Sequence, residues 1–339
     1  MSHLLYLKVF TATALMMLSA PSDALVEVKR EVFLMGTRCT LTAYASDGTG
    51  GLENLESFLR ILEQSERELS TWRADSLFSQ LNRQPPGVPL GLDRSLCRLL
   101  SDLFYWNRET GLAFDPGIGA LIEVWGLREG GKVPSPESIE TARKQAGLNY
   151  FRLDPNQCEI TRTQNVWIDS GAFGKGEALD RVHRYASQID SGPWMIDLGG
   201  QIMVSGSPPD EEGWEVGLAH PVRRGKSVLK LRLKEGSLAA SGGSERDLAV
   251  HGARVGHILD PRTGRPAAFK GSVVVWHQQA LVADILSTAL FVMGPEEGLS
   301  WANSRQVAAC FIFPSSDARC HEISASLSFS SLFPLTTDH

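Results

Sequence analysis

Several chemistries are missing from this sequence. None of its five cysteines, at positions 39, 97, 158, 310 and 320, stands at CxxC or another metal-ligand spacing, which sets cysteine chemistry aside. An odd number leaves at least one thiol unpaired within the monomer; Cys310 and Cys320 are close enough in sequence to pair, but nothing requires it. No HExxH or comparable zinc pattern occurs. Gly242-Gly243-Ser244-Glu245-Arg246 lacks the final glycine of a hydrolase nucleophile elbow. There is no basic stripe, and the net charge of -6 argues against nucleic acid as a partner. Internal repeats are absent, and low complexity is confined to a Ser-rich stretch near 323–331.

Long apolar runs are also scarce. Residues Val9–Leu18, behind Lys8 and ahead of Ser22-Asp23-Ala24, form a run too short to span a bilayer comfortably. It reads as a signal peptide over residues 1–24, with a buried strand or helix as the bland alternative. The expected location is therefore the periplasm, with no transmembrane helix in the mature chain. No cysteine follows the run closely, so a lipid anchor is not expected. The remaining chain is ordinary globular material: 42% of the sequence is apolar and 21% charged, and 339 residues can bury a substantial core.

What is present points to mixed structure. Residues 26–46 alternate like strand, interrupted at Met35-Gly36-Thr37. Leu52, Leu55, Leu59, Leu62 and Leu69 recur at helical spacing, and Leu96, Leu99, Leu100, Leu103 and Phe104 repeat the pattern. A Pro-rich loop at 132–137 introduces another helix. Further helices are expected after Gly176 and over 282–293, with strands at 214–219, 228–233, 272–276 and 308–313. This order lacks the regular alternation of a doubly wound sheet. The fold class is α+β (mixed α/β): a single domain over residues 25–335, of two closely packed lobes with a strand-rich second half.

Four segments carry candidate chemistry. Asp169-Ser170-Gly171-Ala172-Phe173-Gly174-Lys175-Gly176 fails both the Walker and GxGxxG patterns. Its glycines still allow close backbone approach, and the following helix would aim N–H groups at an anion; a ligand-free turn is the alternative. Asp197-Leu198-Gly199-Gly200 ends an apolar run, as a ligand-approach site or a tight turn. In Gly256-His257-Ile258-Leu259-Asp260-Pro261-Arg262-Thr263-Gly264, a histidine enters an Asp-Pro-Gly turn that gathers acid/base and phosphate-binding groups. Asp284 and Thr288 sit at i and i+4 on one helix face with Ser287 beside them, a carboxylate and hydroxyls suited to a hard cation; a helix-dipole Asp over a packed Thr is the alternative.

The order of these pieces, together with Met35-Gly36-Thr37, Ser70-Thr71-Trp72 and Phe114-Asp115, resembles the ApbE family of FAD:protein FMN transferases, from about residue 32 to 313. The resemblance implies transfer of FMN from FAD to a threonine or serine hydroxyl of a target flavoprotein, exported or membrane-bound, with Mg²⁺ and release of AMP. It also implies that Met35, Trp72, Ala113, Phe114, Asp115, Gly171, Lys175, Glu177 and Ile258 line the FAD site. The carbonyl of Gly174 would join Asp284 and Thr288 on the metal, with Ser287 as an extra ligand. Lys175 would add fixed positive potential. His257 is the expected base, and Asp260 either orients it or caps the turn. Two other outcomes fit the same residues: a FAD pyrophosphatase giving FMN and AMP, and a FAD carrier without chemistry.

The chain departs from the family pattern at four places, one of them Trp72, where tyrosine is common. Phe173-Gly174-Lys175-Gly176 replaces Ile-Ala-Lys-Gly, Phe114-Asp115-Pro116-Gly117 replaces Phe-Asp-Ile-Thr, and Ser241-Gly242-Gly243-Ser244 replaces Ser-Gly-Asp-Tyr.

Overall fold

The alternating stretch at the start of the domain forms a hairpin of β1 (Val26–Leu34) and β2 (Thr37–Ala45). Its two turn residues, Met35 and Gly36, have φ of 50° and 70°. Positive φ at both central positions gives the turn whose twist matches that of the strands. The structure, a computed structural model, describes residues 25–220, 226–243, 247–250, 253–315 and 321–334. The expected signal peptide and Cys320 lie outside the described residues.

Six more strands continue the sheet: β3 (Trp194–Leu198), β4 (Gln201–Ser205), β5 (Glu235–Gly242), β6 (Ser272–His277), β7 (Ala308–Pro314) and β8 (His321–Ala325). All neighbours are antiparallel, and spatial order repeats chain order from β1 to β8. Asp197-Leu198-Gly199-Gly200 resolves into the β3–β4 turn, with Gly200 donating its N–H to Asp197 Oδ1 at 2.8 Å. Gly199 is required there, because a Cβ would stand 2.4 Å from Thr37 Oγ1. The tips of the two hairpins therefore lie side by side.

Three helices cover one face of the sheet. On α1 (Gly48–Leu69) and α2 (Gly174–Ala186), Leu55, Phe58, Leu62, Leu179 and Val182 pack on Leu41, Trp194 and Ile196. From α3 (Ala280–Ser304), Ile285, Ala289 and Leu290 share a core with Val273, Val275 and Phe311. The expected helix over 282–293 is the first part of α3: Gly294 (φ 77°, ψ 177°) and Pro295 kink the chain there, and helix resumes beyond. Strand alternation sends Val274, Cys310 and Ile312 to the opposite face, under the hairpin Trp214–Ala219/Ser227–Leu233 and Phe329. Cys310 is thus a core residue, its thiol pushed up to about 12 by burial.

A helical segment is inserted between β2 and β3. It contains helices Leu77–Arg83, Arg94–Glu109, Gly119–Val124 and Pro136–Lys144, and a small sheet of Leu90–Gly91, Phe151–Asp154 and Glu159–Arg162. Its Leu100, Leu103, Phe114 and Phe151 join the same apolar cluster as α3, so the two lobes share one core. The Ser-rich stretch is ordered as well: Ser326 caps the helix Leu327–Leu332, accepting from the Phe329 N–H at 3.2 Å. Among the described residues, no helix is long and apolar enough to cross a membrane.

Candidate active site

The glycine loop opens α2, and α3 supplies what its first turn needs. Asp284 is buried, with its carboxylate against the α2 N-terminus. Gly176 donates its N–H to Asp284 Oδ2 at 2.9 Å, and Lys175 Nζ lies 3.1 Å from Oδ1. This contact needs a glycine: a Cβ on residue 176 would stand 2.5 Å from the Ala280 carbonyl oxygen and 2.6 Å from Leu281 Cα. The exchange is mutual. Asp180 of α2 accepts from the N–H groups of Ala280 (2.7 Å) and Leu281 (3.0 Å), at the start of α3. Burial pushes the Asp180 carboxyl up to about 6, against the pull of those two hydrogen bonds.

Hydroxyls gather next to Asp284. Ser287 Oγ donates to the Asp284 carbonyl at 2.9 Å. Ser241, at the end of β5, places its Oγ 2.9 Å from Ser287 Oγ and 3.4 Å from Thr288 Oγ1. The donor set is therefore hard oxygen, with an ammonium group resting on Asp284 where a cation would sit. No group of three or more His, Cys, Asp or Glu side chains could cage a metal among the described residues. A Mg²⁺ ion suits this arrangement, because it takes few protein oxygens and completes its shell with water and phosphate.

His257 stands in the long connection between β5 and β6. Its Nδ1 lies 3.2 Å from Asp247 Oδ1, and its backbone N–H donates to the same oxygen at 3.3 Å. Asp260 is engaged elsewhere. Its Oδ1 accepts from the Arg262 N–H and Nε at 2.8 and 3.0 Å, its Oδ2 from Nη2 at 3.2 Å, and its carbonyl from the Gly264 N–H. Of the two readings of Asp260, these contacts build the turn cap, and the carboxylate beside His257 is Asp247.

The remaining candidates divide by exposure. Met35 donates its N–H to Glu66 Oε1, and its Cε lies close to Gly174. Trp72 is 71% exposed. Gly171 donates its N–H to Asp169 Oδ1 at 2.8 Å. By contrast, Ala113 and Phe114 are buried in the core. Asp115 is buried too: it accepts from the N–H groups of Gly117 and Leu148, and burial pushes its carboxyl up to about 6. Glu177 accepts from Arg181 and Arg184 at 2.8 and 3.0 Å, and Ile258 is half-buried against the core.

A model of the ApbE family matches residues 35–312. The chain belongs to the ApbE family. It is 30% identical over 315 residues to a protein of Treponema pallidum named FAD:protein FMN transferase, covering 86% of each chain. Among solved structures, it is similar to the ApbE protein of Thermotoga maritima, with a TM-score of 0.83 and 27% identity over 91% of this chain and 100% of that one. The apo flavinyl transferase ApbE of Pseudomonas stutzeri gives a TM-score of 0.81 at 25% identity, covering 93% of this chain and 99% of that one.

Two of the departures from the usual ApbE motifs have local explanations. A Cβ at Gly174 would make ordinary contacts, 3.5 Å from Ser170 Cβ and 3.6 Å from Met35 Cε, so alanine and glycine both fit. Phe173 fills the core against Phe78, with ring centroids 5.5 Å apart. Gly117 allows a close crossing, since a Cβ there would stand 2.5 Å from the Gly147 carbonyl carbon. Ser241, Asp247 and Asp180 contact the site but are not among the expected site residues. Ser241 is visible in the sequence only as part of a departing motif, whereas the partners of Asp180 are distant in sequence and His257 meets Asp247 across the hairpin Leu248–Val250/Ala253–Val255.

Proposed function

We propose that this member of the ApbE family transfers FMN from FAD to a threonine or serine hydroxyl of a target flavoprotein and releases AMP. The observation that carries this reading is the Lys175–Asp284 pair at the start of α2, with Thr288, Ser287 and Ser241 beside it. The pyrophosphate of FAD carries two negative charges. Lys175 and the positive end of the α2 dipole are suited to that anion. Asp284, Thr288 and the Gly174 carbonyl are the ligands offered to Mg²⁺, with Ser287 adjoining, and bound Mg²⁺ would neutralise charge on the pyrophosphate.

His257 supplies the base. With Nδ1–H directed at Asp247, Nε2 keeps its lone pair for the proton of the acceptor hydroxyl. The hydroxyl oxygen bonds to the FMN-side phosphorus, and the bond from that phosphorus to the AMP oxygen breaks. Trp72 offers its exposed face to a planar ring of FAD. An exported or membrane-bound acceptor is proposed on the apolar run Val9–Leu18 alone.

The test is product analysis. Purified protein is incubated with FAD, Mg²⁺ and a candidate acceptor domain, and AMP, FMN and acceptor mass are followed. AMP with flavinylated acceptor is the expected result. AMP with free FMN would indicate hydrolysis, and bound FAD without AMP across several acceptors would contradict both enzymatic readings.

A further inference from the structure

Trp72 is largely exposed, yet it is not loose. The Arg128 guanidinium carbon lies 4.4 Å from the Trp72 ring centroid and 4.7 Å from that of Trp167, so the guanidinium is sandwiched between two indoles. Its base is rigid. Trp167 donates Nε1–H to Glu123 Oε1 at 3.1 Å, and its ring lies where a Cβ on Gly119 would otherwise be, 2.1 Å away. Arg128 also donates Nη1–H to the Thr71 carbonyl at 3.0 Å and Nη2–H to Thr71 Oγ1 at 2.7 Å. Nη2 pairs with Asp169 Oδ2 at 2.5 Å, and Asp169 Oδ1 accepts from the Gly171 N–H.

We propose that Arg128 is a positioning residue, which fixes Trp72 as an aromatic platform and ties that platform to the loop opening α2. The proposal rests on the reading that Trp72 meets a planar ring of FAD. A freely rotating exposed indole would lose rotamer freedom on stacking, and the clamp removes that cost before the ligand arrives. Arg128 covers the inner face of Trp72, leaving the outer face for the ligand. The Asp169 link sets the spacing between the ring site and the anion site, the two features a dinucleotide presents. Arginine suits this place because a planar guanidinium stacks and forks at once, which an ammonium does not.

The test is FAD titration of the full chain, followed by flavin fluorescence quenching and the visible flavin band, with steady-state transfer measured in parallel. Arg128→Met is expected to weaken FAD binding about tenfold and to reduce the quenching as Trp72→Ala does. KM for FAD should rise while kcat stays close to wild type. Arg128→Lys should not restore the quenching, and Trp72→Ala with Arg128→Met should be no worse than Trp72→Ala alone. Unchanged quenching and affinity in both Arg128 variants, or losses that simply add, would overturn the proposal. Failure of the wild-type protein to bind FAD would contradict the functional reading instead. The clamp is then read without FAD: Arg128→Met must alter the emission difference between the Trp72 and Trp72→Phe proteins, and no change overturns it.

Cys97, on the helix Arg94–Glu109, and Cys158, in the turn before Glu159–Arg162, direct their thiols at one carbonyl. Both are hydrogen-bonded to the Pro155 oxygen, at 3.9 and 3.7 Å. The neighbouring Cys158 is the largest cause, ahead of burial, that pushes the Cys97 thiol up to about 11. Cys39 and Cys310, by contrast, are buried on separate strands of the main sheet. From this juxtaposition we infer that Cys97 and Cys158 close into a disulfide when a small-molecule disulfide is the oxidant.

The half-exposed Cys158 thiolate attacks one sulfur of the oxidant, forming a mixed disulfide and releasing one thiol. The Cys97 thiolate then attacks the Cys158 sulfur and releases the second thiol. Two protein thiols are oxidised, one disulfide is reduced, and the protons leave on the released thiols. Reduced protein is exposed to oxidised glutathione, alkylated under denaturing conditions and digested without reduction. The expected result is a linked Cys97–Cys158 peptide with Cys39 and Cys310 still alkylated. A stable glutathione adduct on Cys158 with Cys97 alkylated, or alkylation of both, would overturn it.

Discussion

Asp180 and Asp284 cap each other's helices. Asp180, on α2, takes the N–H groups of Ala280 and Leu281 at the start of α3, while Asp284, on α3, takes the Gly176 N–H and Lys175 at the start of α2. Four hydrogen-bonding groups at two helix N-termini are satisfied by two buried carboxylates, and the positive ends of both helices meet at one place. The candidate active site is built on that crossing.

Removing Asp284 should therefore cost both chemistry and stability. Asp284→Ala leaves the Gly176 N–H and the Lys175 ammonium without their partner, a loss of about 1–3 kcal/mol in folding stability. Transfer should fall at least about 10²-fold, and added Mg²⁺ should not restore it. Thermal melting and AMP release against Mg²⁺ concentration measure the two effects. A variant as active as wild type would remove Asp284 from the mechanism.

Asp180 should reveal itself through pH. Its folded carboxyl titrates near 6 against an ordinary 3.8, because burial penalises the charge. The folded state then binds more protons than the unfolded state between those values, so this residue lowers stability as pH rises from about 4 to 6. Asp180→Asn deletes that slope. Its stability relative to wild type should rise across the window by on the order of 3 kcal/mol. Asp115, shifted in the same sense, is present in both proteins and cancels. Parallel pH dependences for the two proteins would refute the assignment.

The helix crossing itself is tested at Gly176. Gly176→Ala drives a methyl group into the Ala280 carbonyl, so α2 and α3 must separate. A loss of about 1–3 kcal/mol is expected, read as a lower Tm, along with weaker transfer. Gly174→Ala serves as the control, since its Cβ meets only ordinary contacts and the melt should be near wild type.

Much of this arrangement was legible in the sequence, within clear limits. The Asp284/Thr288 pair was readable because i and i+4 on a helix is a local geometry. Asp180 lies just beyond the glycine loop, but its partners lie 100 and 101 residues away. Asp247 and His257 flank the short hairpin Leu248–Val250/Ala253–Val255, whose pairing brings them together but whose three-residue strands are too short to show an alternating pattern. Strand β5 is not legible in the sequence because Gly236-Ser237-Leu238-Ala239-Ala240-Ser241 has little β-propensity; pairing with β4 and β6 makes it a strand. Export was inferred from residues 1–24, which the structure does not describe.

His257 and Asp247 make a separable pair. His257→Gln should slow transfer about 10²- to 10⁴-fold with FAD binding retained. Asp247→Asn keeps the imidazole but loses the acceptor for Nδ1–H, so the rate should fall less and its pH profile should move. A normal rate and profile in Asp247→Asn would leave the orienting role without support.

The most direct test is the mass of the acceptor in a single-turnover reaction with FAD and Mg²⁺, run with wild type and with Asp284→Ala. The account predicts that wild type adds one FMN to the acceptor and releases one AMP, and that the variant does neither within the same time. An unmodified acceptor beside wild-type enzyme that has consumed FAD would contradict it, as would equal flavinylation by the two proteins.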